Sequence, residues 1–163
     1  MDIEFNAFEA FEIAERIERN GAKFYSKAAE LFDDARLRVL FLRLAGWENK
    51  HEEIFANMRK QLSEQSRELR TFKPEKNMLI DAQTIAGLAV FVNKPDPSQE
   101  FTGQETKKEV LQKAIQKEKD SIVYYTGLKN FVPTRAGQDR IDDIIKEEMH
   151  HIRILDQSLE CLE

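Results

Sequence analysis

Apolar residues recur at alternating steps of three and four along four long stretches of the chain, the spacing of one helix face. The first stretch, residues 6–32, carries Phe11, Ala14, Glu18, Gly21, Tyr25, Ala28 and Phe32 in register. The second, residues 35–66, carries Leu37, Phe41, Leu44, Glu48, His51, Phe55, Met58 and Leu62. The third, residues 104–131, places Leu111, Ala114, Glu118, Ser121, Tyr125 and Leu128 on its stripe, which runs on to Val132. The fourth, residues 137–161, places Ile141, Ile144, Glu148, His151, Leu155 and Ser158 likewise, with Leu162 just beyond it. Sustained over several turns, this pattern predicts an all-α fold, a helix bundle with the stripes turned inward.

Two corners are short. Asp33-Asp34 separates the first pair of stretches, and Pro133-Thr134-Arg135-Ala136-Gly137 the second. Each pair therefore reads as an antiparallel hairpin. A longer connection, residues 67–103, joins the hairpins and is broken by Pro74, Pro95 and Pro97. Within it, NMLIDAQTIAGLAVFV predicts either a short helix across the bundle end or an extended apolar segment at Val90-Phe91-Val92. The whole, residues 1–163, is expected to form a single domain.

The hairpins align at an offset of 100 residues without a gap, although only 7 of 48 positions agree. Four of those matches carry the weight, because they are polar or ionisable residues inside apolar stripes: Glu18 with Glu118, Tyr25 with Tyr125, Glu48 with Glu148, and His51 with His151. A second reading frame, Glu147-x-x-His150, would put Asp143 in the core and turn Ile144 and Leu155 outward. The stripe and the repeat both select Glu148 and His151. Glu15, Glu52, Glu53 and Glu147 lie off the stripes and read as solvated, His150 as a surface group, and Trp47 as a packing residue.

Charged side chains are rarely buried without a partner, and four carboxylates facing one core compound the cost. A Glu and a His three residues apart on a helix can grip one ion. Four carboxylates carry about −4, which two divalent cations and two neutral imidazoles would balance. Oxygen and nitrogen donors without thiolate suit iron or manganese, and zinc is compatible with them.

Composition narrows the partners. A net charge of −5 lacks the basic footprint that nucleic acid or an anionic membrane requires. The N-terminal MDIEFNAFEAF has no basic leader pattern, which predicts a cytoplasmic protein, and the longest apolar run, Ile85 to Val92, is too short to span a bilayer. Cys161 is the one cysteine, so neither an intrachain disulfide nor a cysteine-based cluster can form; it would be reactive only if exposed.

One Glu from each of two helices plus Glu-x-x-His from each of two others is a known ligand set of ferritin-like di-iron and di-manganese carboxylate proteins. Through ERIERNGAKFYSKAA, LAGWENKHEEIF, AIQKEKDSIVYY and IIKEEMHHIRIL, the chain resembles the ferritin-like superfamily, and within it the rubrerythrin-like branch. The resemblance implies a ferritin-like antiparallel four-helix bundle with two iron ions. Glu48 and Glu148 would bridge them, Glu18 and Glu118 would each bind one from the side, and His51 and His151 would each cap one. Tyr25 and Tyr125 would each hydrogen-bond a ligand from the opposite hairpin.

The activity implied is an oxidoreductase reducing peroxide or activating dioxygen. A ferroxidase is the alternative, and a non-catalytic interaction module with a structural metal is a third. Two departures bear on this. Full rubrerythrins carry a rubredoxin module with paired cysteines, whereas this chain offers one cysteine, so the resemblance implies a separate electron-donor protein. They also carry a further glutamate three residues from the one matched by Glu118, where this chain has Ile115 and Ser121. The resemblance and the 85–92 segment together point to a homodimer.

Overall fold

The computed structural model describes residues 7–64, 100–132 and 134–162. Among them run four helices: α1, Ala7–Ala28; α2, Ala35–Glu64; α3, Lys107–Leu128; and α4, Arg135–Glu160, with a short 3-10 turn at Lys129–Phe131 after α3. No strand occurs among the described residues, and none of these helices is long and apolar enough to cross a membrane. NMLIDAQTIAGLAVFV, including the 85–92 segment, lies outside the described residues.

Local chemistry sets the helix starts. Asp34 Oδ1 accepts from the backbone N–H groups of Arg36 and Leu37 at 3.0 and 3.2 Å, capping α2. The other oxygen of Asp34 meets Lys107 Nζ at 2.8 Å and so ties the start of α2 to the start of α3. Thr106 and Glu109 form a reciprocal capping box at α3. Thr134 accepts from Gly137 N–H at α4.

Three ends differ from the periodicity. α1 stops at Ala28, although Leu31 and Phe32 still pack on the core; the stripe outlasts the helix because the turn also faces inward. α3 begins after Thr106 because that residue caps it. Arg135, Ala136 and Gly137, expected in a corner, are already helical. Gly137 is there for space: a Cβ would lie 2.5 Å from Val132 Cγ1.

Two apolar clusters fill the bundle. One gathers Phe11 and Ala14 of α1, Phe55 of α2, Tyr125 and Leu128 of α3, and Ile141 and Ile144 of α4. The other gathers Tyr25 and Ala28, Phe41 and Leu44, Leu111 and Ala114, and Leu155. The start of α1 therefore meets the ends of α2 and α3 and the start of α4, an antiparallel bundle with α1 and α4 running the same way. Adding 100 to a residue of one cluster gives its counterpart in the other (Phe11 and Leu111, Phe41 and Ile141, Phe55 and Leu155), so the internal repeat is an approximate two-fold of the fold. Between the two clusters in sequence, on all four helices, fall the ionisable residues.

Candidate metal centre

Residues 18, 48, 51, 118, 148 and 151 each fall about midway along their helix, on the stripe that the apolar clusters bury. Glu18, Glu48, His51, Glu118, Glu148 and His151 are all at least 95% removed from solvent. They form two quartets: Glu18, Glu48, His51 and Glu148 in one, and Glu48, Glu118, Glu148 and His151 in the other. In each quartet one donor atom per residue lies within 4.8 Å of all the others. Glu48 and Glu148 belong to both.

Each imidazole turns Nδ1 inward. His51 Nδ1 lies 2.9 Å from Glu148 Oε1 and 3.6 Å from Glu18 Oε2. His151 Nδ1 lies 3.0 Å from Glu148 Oε2, 3.4 Å from Glu48 Oε1 and 3.7 Å from Glu118 Oε2. The two rings face one another at 5.7 Å between centroids. Glu18 Oε2, Glu48 Oε1, Glu148 Oε1 and His51 Nδ1 are buried without a well-directed hydrogen-bond partner among the described residues. Buried acceptors left in this state are costly. Lone pairs converging on one another are what a cation satisfies, so the donor set fits metal.

The tyrosines cross between hairpins. The Tyr25 hydroxyl donates to Glu118 and the Tyr125 hydroxyl to Glu18. Burial, reinforced by the neighbouring carboxylates, pushes both phenols well above their ordinary range, so they remain donors. Tyr124, also buried, donates to the Ala10 carbonyl at 2.7 Å and takes no part in the cluster.

Without metal the cluster must hold protons. Burial works against the imidazolium of His51, but Glu148 and Glu18 outweigh it and push its pKa up to about 11. For His151, Glu118, Glu148 and Glu48 outweigh burial and push it up to about 12. Burial and mutual repulsion raise Glu18, Glu48 and Glu118. Burial acts in the same direction on Glu148, but its close neighbours Glu118, His151 and His51 outweigh it and hold its carboxyl well below the usual range. Glu148 is therefore the carboxylate most firmly ionised in the metal-free state.

Room around the ligands matters as much as the ligands. A Cβ on Gly21 would stand 2.7 Å from Glu48 Oε2. Its repeat partner, Ser121, directs its hydroxyl onto the Lys117 carbonyl at 3.0 Å instead of joining the cluster. Gly21→Ala is expected to leave the fold as stable or slightly more so, since Ala favours helix by up to about 1 kcal/mol over Gly. The displaced Glu48 should meanwhile weaken metal binding by about 10-fold or more. Thermal melts and metal titration on the same variant check both halves.

Glu15 departs from its sequence reading, and Glu147 and Trp47 make contacts that theirs did not specify. Glu15, expected in water, is buried and paired with Arg59, whose Nη2 donates to Oε1 at 3.1 Å. It sits beside the stripe on the flank that α2 covers, where one side-chain step from the seam is still inside. Glu147 is 58% exposed, yet its Oε2 lies 2.7 Å from His51 Nε2. Trp47 packs, as expected, but on a specific surface: its indole lies nearly parallel to His151 at 4.9 Å. His150 is exposed, so the Glu147-x-x-His150 frame faces outward. Cys161 is exposed at the end of α4, and Leu162 is also exposed.

The comparisons with known proteins agree with this geometry. No curated protein matches the chain. A crystal structure from Thermotoga maritima, described as a ferritin-like diiron-carboxylate protein, superposes with a TM-score of 0.70 at 27% identity, covering 96% of this chain and 95% of that one. The family model for rubrerythrin matches residues 9–159. With an all-α four-helix bundle and a buried Glu/His cluster capable of holding metal, the chain belongs to the rubrerythrin family.

Proposed function

We propose that the cluster holds two iron ions and that the protein is an oxidoreductase reducing peroxide or activating dioxygen. The observation that carries this reading is the pair of quartets sharing Glu48 and Glu148. On this reading Glu48 and Glu148 would be shared by both ions, Glu18 and His51 would hold one, and Glu118 and His151 would hold the other. Two adjacent iron ions would supply one electron each to a two-electron reduction of an O–O bond.

The protein's share is placement, charge and shielding. Tyr25 fixes Glu118 and Tyr125 fixes Glu18, each hydroxyl donating to a carboxylate of the opposite hairpin. Each bond leaves its carboxylate another oxygen to give to a metal. The apolar clusters close the core around the site: Phe55 and Ile144 belong to one, Leu44 and Ala114 to the other. Excluding water in this way strengthens every electrostatic interaction inside. The missing side chain of Gly21 leaves the room that the Glu48 carboxylate occupies against α1. A separate donor protein would return electrons to the site, and a homodimer and a cytoplasmic location complete the proposal.

The test is anaerobic ferrous protein mixed with hydrogen peroxide. The reading predicts rapid oxidation at about one peroxide per two irons, the two-electron stoichiometry. A spectrum that stays unchanged rejects it. Iron retained after repeated loading separates this activity from ferroxidase chemistry, in which the oxidised iron leaves.

A further inference from the structure

The approximate two-fold that repeats six candidate ligands and two tyrosines does not extend to residues 47 and 147 beside them. Residue 47 precedes Glu48 and residue 147 precedes Glu148, and each reaches across to the histidine of the opposite hairpin. The chemistry they bring is different. Glu147 offers a carboxylate oxygen 2.7 Å from His51 Nε2. Trp47 offers the face of an indole, 4.9 Å from the His151 ring and tilted only 8° from it. An indole has one N–H donor and no acceptor, so it cannot take the outer proton of an imidazole.

We infer that the two metal positions are inequivalent, and that Glu147 makes the position beside His51 the tighter one. The inference rests on the proposed dinuclear reading and adds the order of filling to it. When His51 Nδ1 faces a metal, Nε2 carries the ring proton. Glu147 accepts that proton in a hydrogen bond, which fixes the tautomer, holds the ring plane and makes Nδ1 a stronger donor. Among the described residues, His151 has ring packing in place of that bond. Charge acts in the same direction. Glu147 adds a negative charge at the rim beside His51, whereas the Arg43 guanidinium lies over the ring of Trp47, 5.0 Å from its centre, and Trp47 in turn packs on His151. Glu147 is a positioning residue on this account, since it acts through His51.

Crystals grown with one equivalent of Mn(II) per chain, measured by anomalous diffraction, test the inference directly. The expected result is a peak between Glu18, His51 and the shared glutamates, with the His151 side largely empty. Glu147→Ala should lower affinity on the His51 side by about 10- to 100-fold, so that the peak moves to the His151 side or divides. Calorimetric titration of the variant should show one step weakened and the other retained. Glu147→Gln keeps an acceptor without the charge and should restore most of the wild-type distribution. Trp47→Phe should not change the order.

The side chain of Glu147 is largely exposed, so these substitutions leave the core intact, and the wild-type crystal needs no variant. Equal peaks in the wild type, or a distribution indifferent to Glu147→Ala, overturns the inference while leaving a dinuclear site standing. Failure of Mn(II) to enter the cluster at all removes the dinuclear reading itself, and the order of filling with it.

Discussion

Glu148→Ala is expected to abolish metal loading and to destabilise the metal-free protein by about 3–5 kcal/mol. Both effects follow from its position. Glu148 approaches both imidazoles, at 2.9 Å from His51 and 3.0 Å from His151, and belongs to both quartets. It is also the cluster carboxylate whose pKa is held low, against the burial that would raise it. Removing it leaves two buried cationic rings whose remaining acidic neighbours are inclined to protonate. Breaking one member of a buried charge network costs far more than the network contributes in net stability. Glu53→Ala, on the exposed side of α2, should change neither property. Chemical denaturation of both variants, with metal analysis, checks the pair. A Glu148→Ala protein as stable as the parent and still metal-loaded would show that the cluster is not organised around this residue.

A second large effect is expected from pH. His51 and His151 have folded-state pKa values raised to about 11 and about 12, against an ordinary value of 6.5. Their contribution to the metal-free fold is complete below pH 6.5, declines as pH rises above it, and is gone once pH passes the folded values. Glu18, Glu48 and Glu118, also raised, act in the same direction from their lower ordinary value. Glu148 acts oppositely, its contribution being lost only as pH falls through its depressed value.

The metal-free protein should therefore lose thermal stability between about pH 6.5 and about pH 9. Metal must displace the two imidazolium protons, so its affinity should rise over the same interval. The gap in melting temperature between loaded and metal-free protein should widen with pH, and calorimetry in buffers of different ionisation enthalpy should count at least two protons released, one from each imidazole. A gap independent of pH, with no proton release, contradicts the arrangement.

The elements that could be read from sequence are those where a residue type conflicts with its position. Glu18, Glu48, Glu118 and Glu148 stand on apolar stripes, and the stripe alone places them inside. The same argument locates His51 and His151 and rejects the frame of Glu147 and His150. The corners were legible but not what fills them: Thr134 caps α4 three residues before Gly137, which looked like a turn residue and is a packing one.

Flank positions were not legible. Whether Glu15 or Glu147 meets solvent depends on which helix lies alongside, and a single helix pattern carries no information about its neighbour. Arg59 and His51, their partners, are both on α2, distant in sequence from each. Gly21 was legible as a stripe position, but its use is an absence of atoms next to Glu48, which only the assembled bundle reveals. The signal available for Glu147 was its mismatch with Trp47 beside a pair of repeated ligands.

On the proposed function, this carboxylate and imidazole cluster is a dinuclear iron centre. Metal analysis of protein produced in iron-supplemented medium, joined to anomalous diffraction at the iron edge, tests it most directly. The expected result is two iron ions per chain lying between Glu48 and Glu148, one beside Glu18 and His51 and one beside Glu118 and His151. A cluster that stays free of metal in iron-replete protein, its carboxylates protonated and bonded to one another, would contradict it.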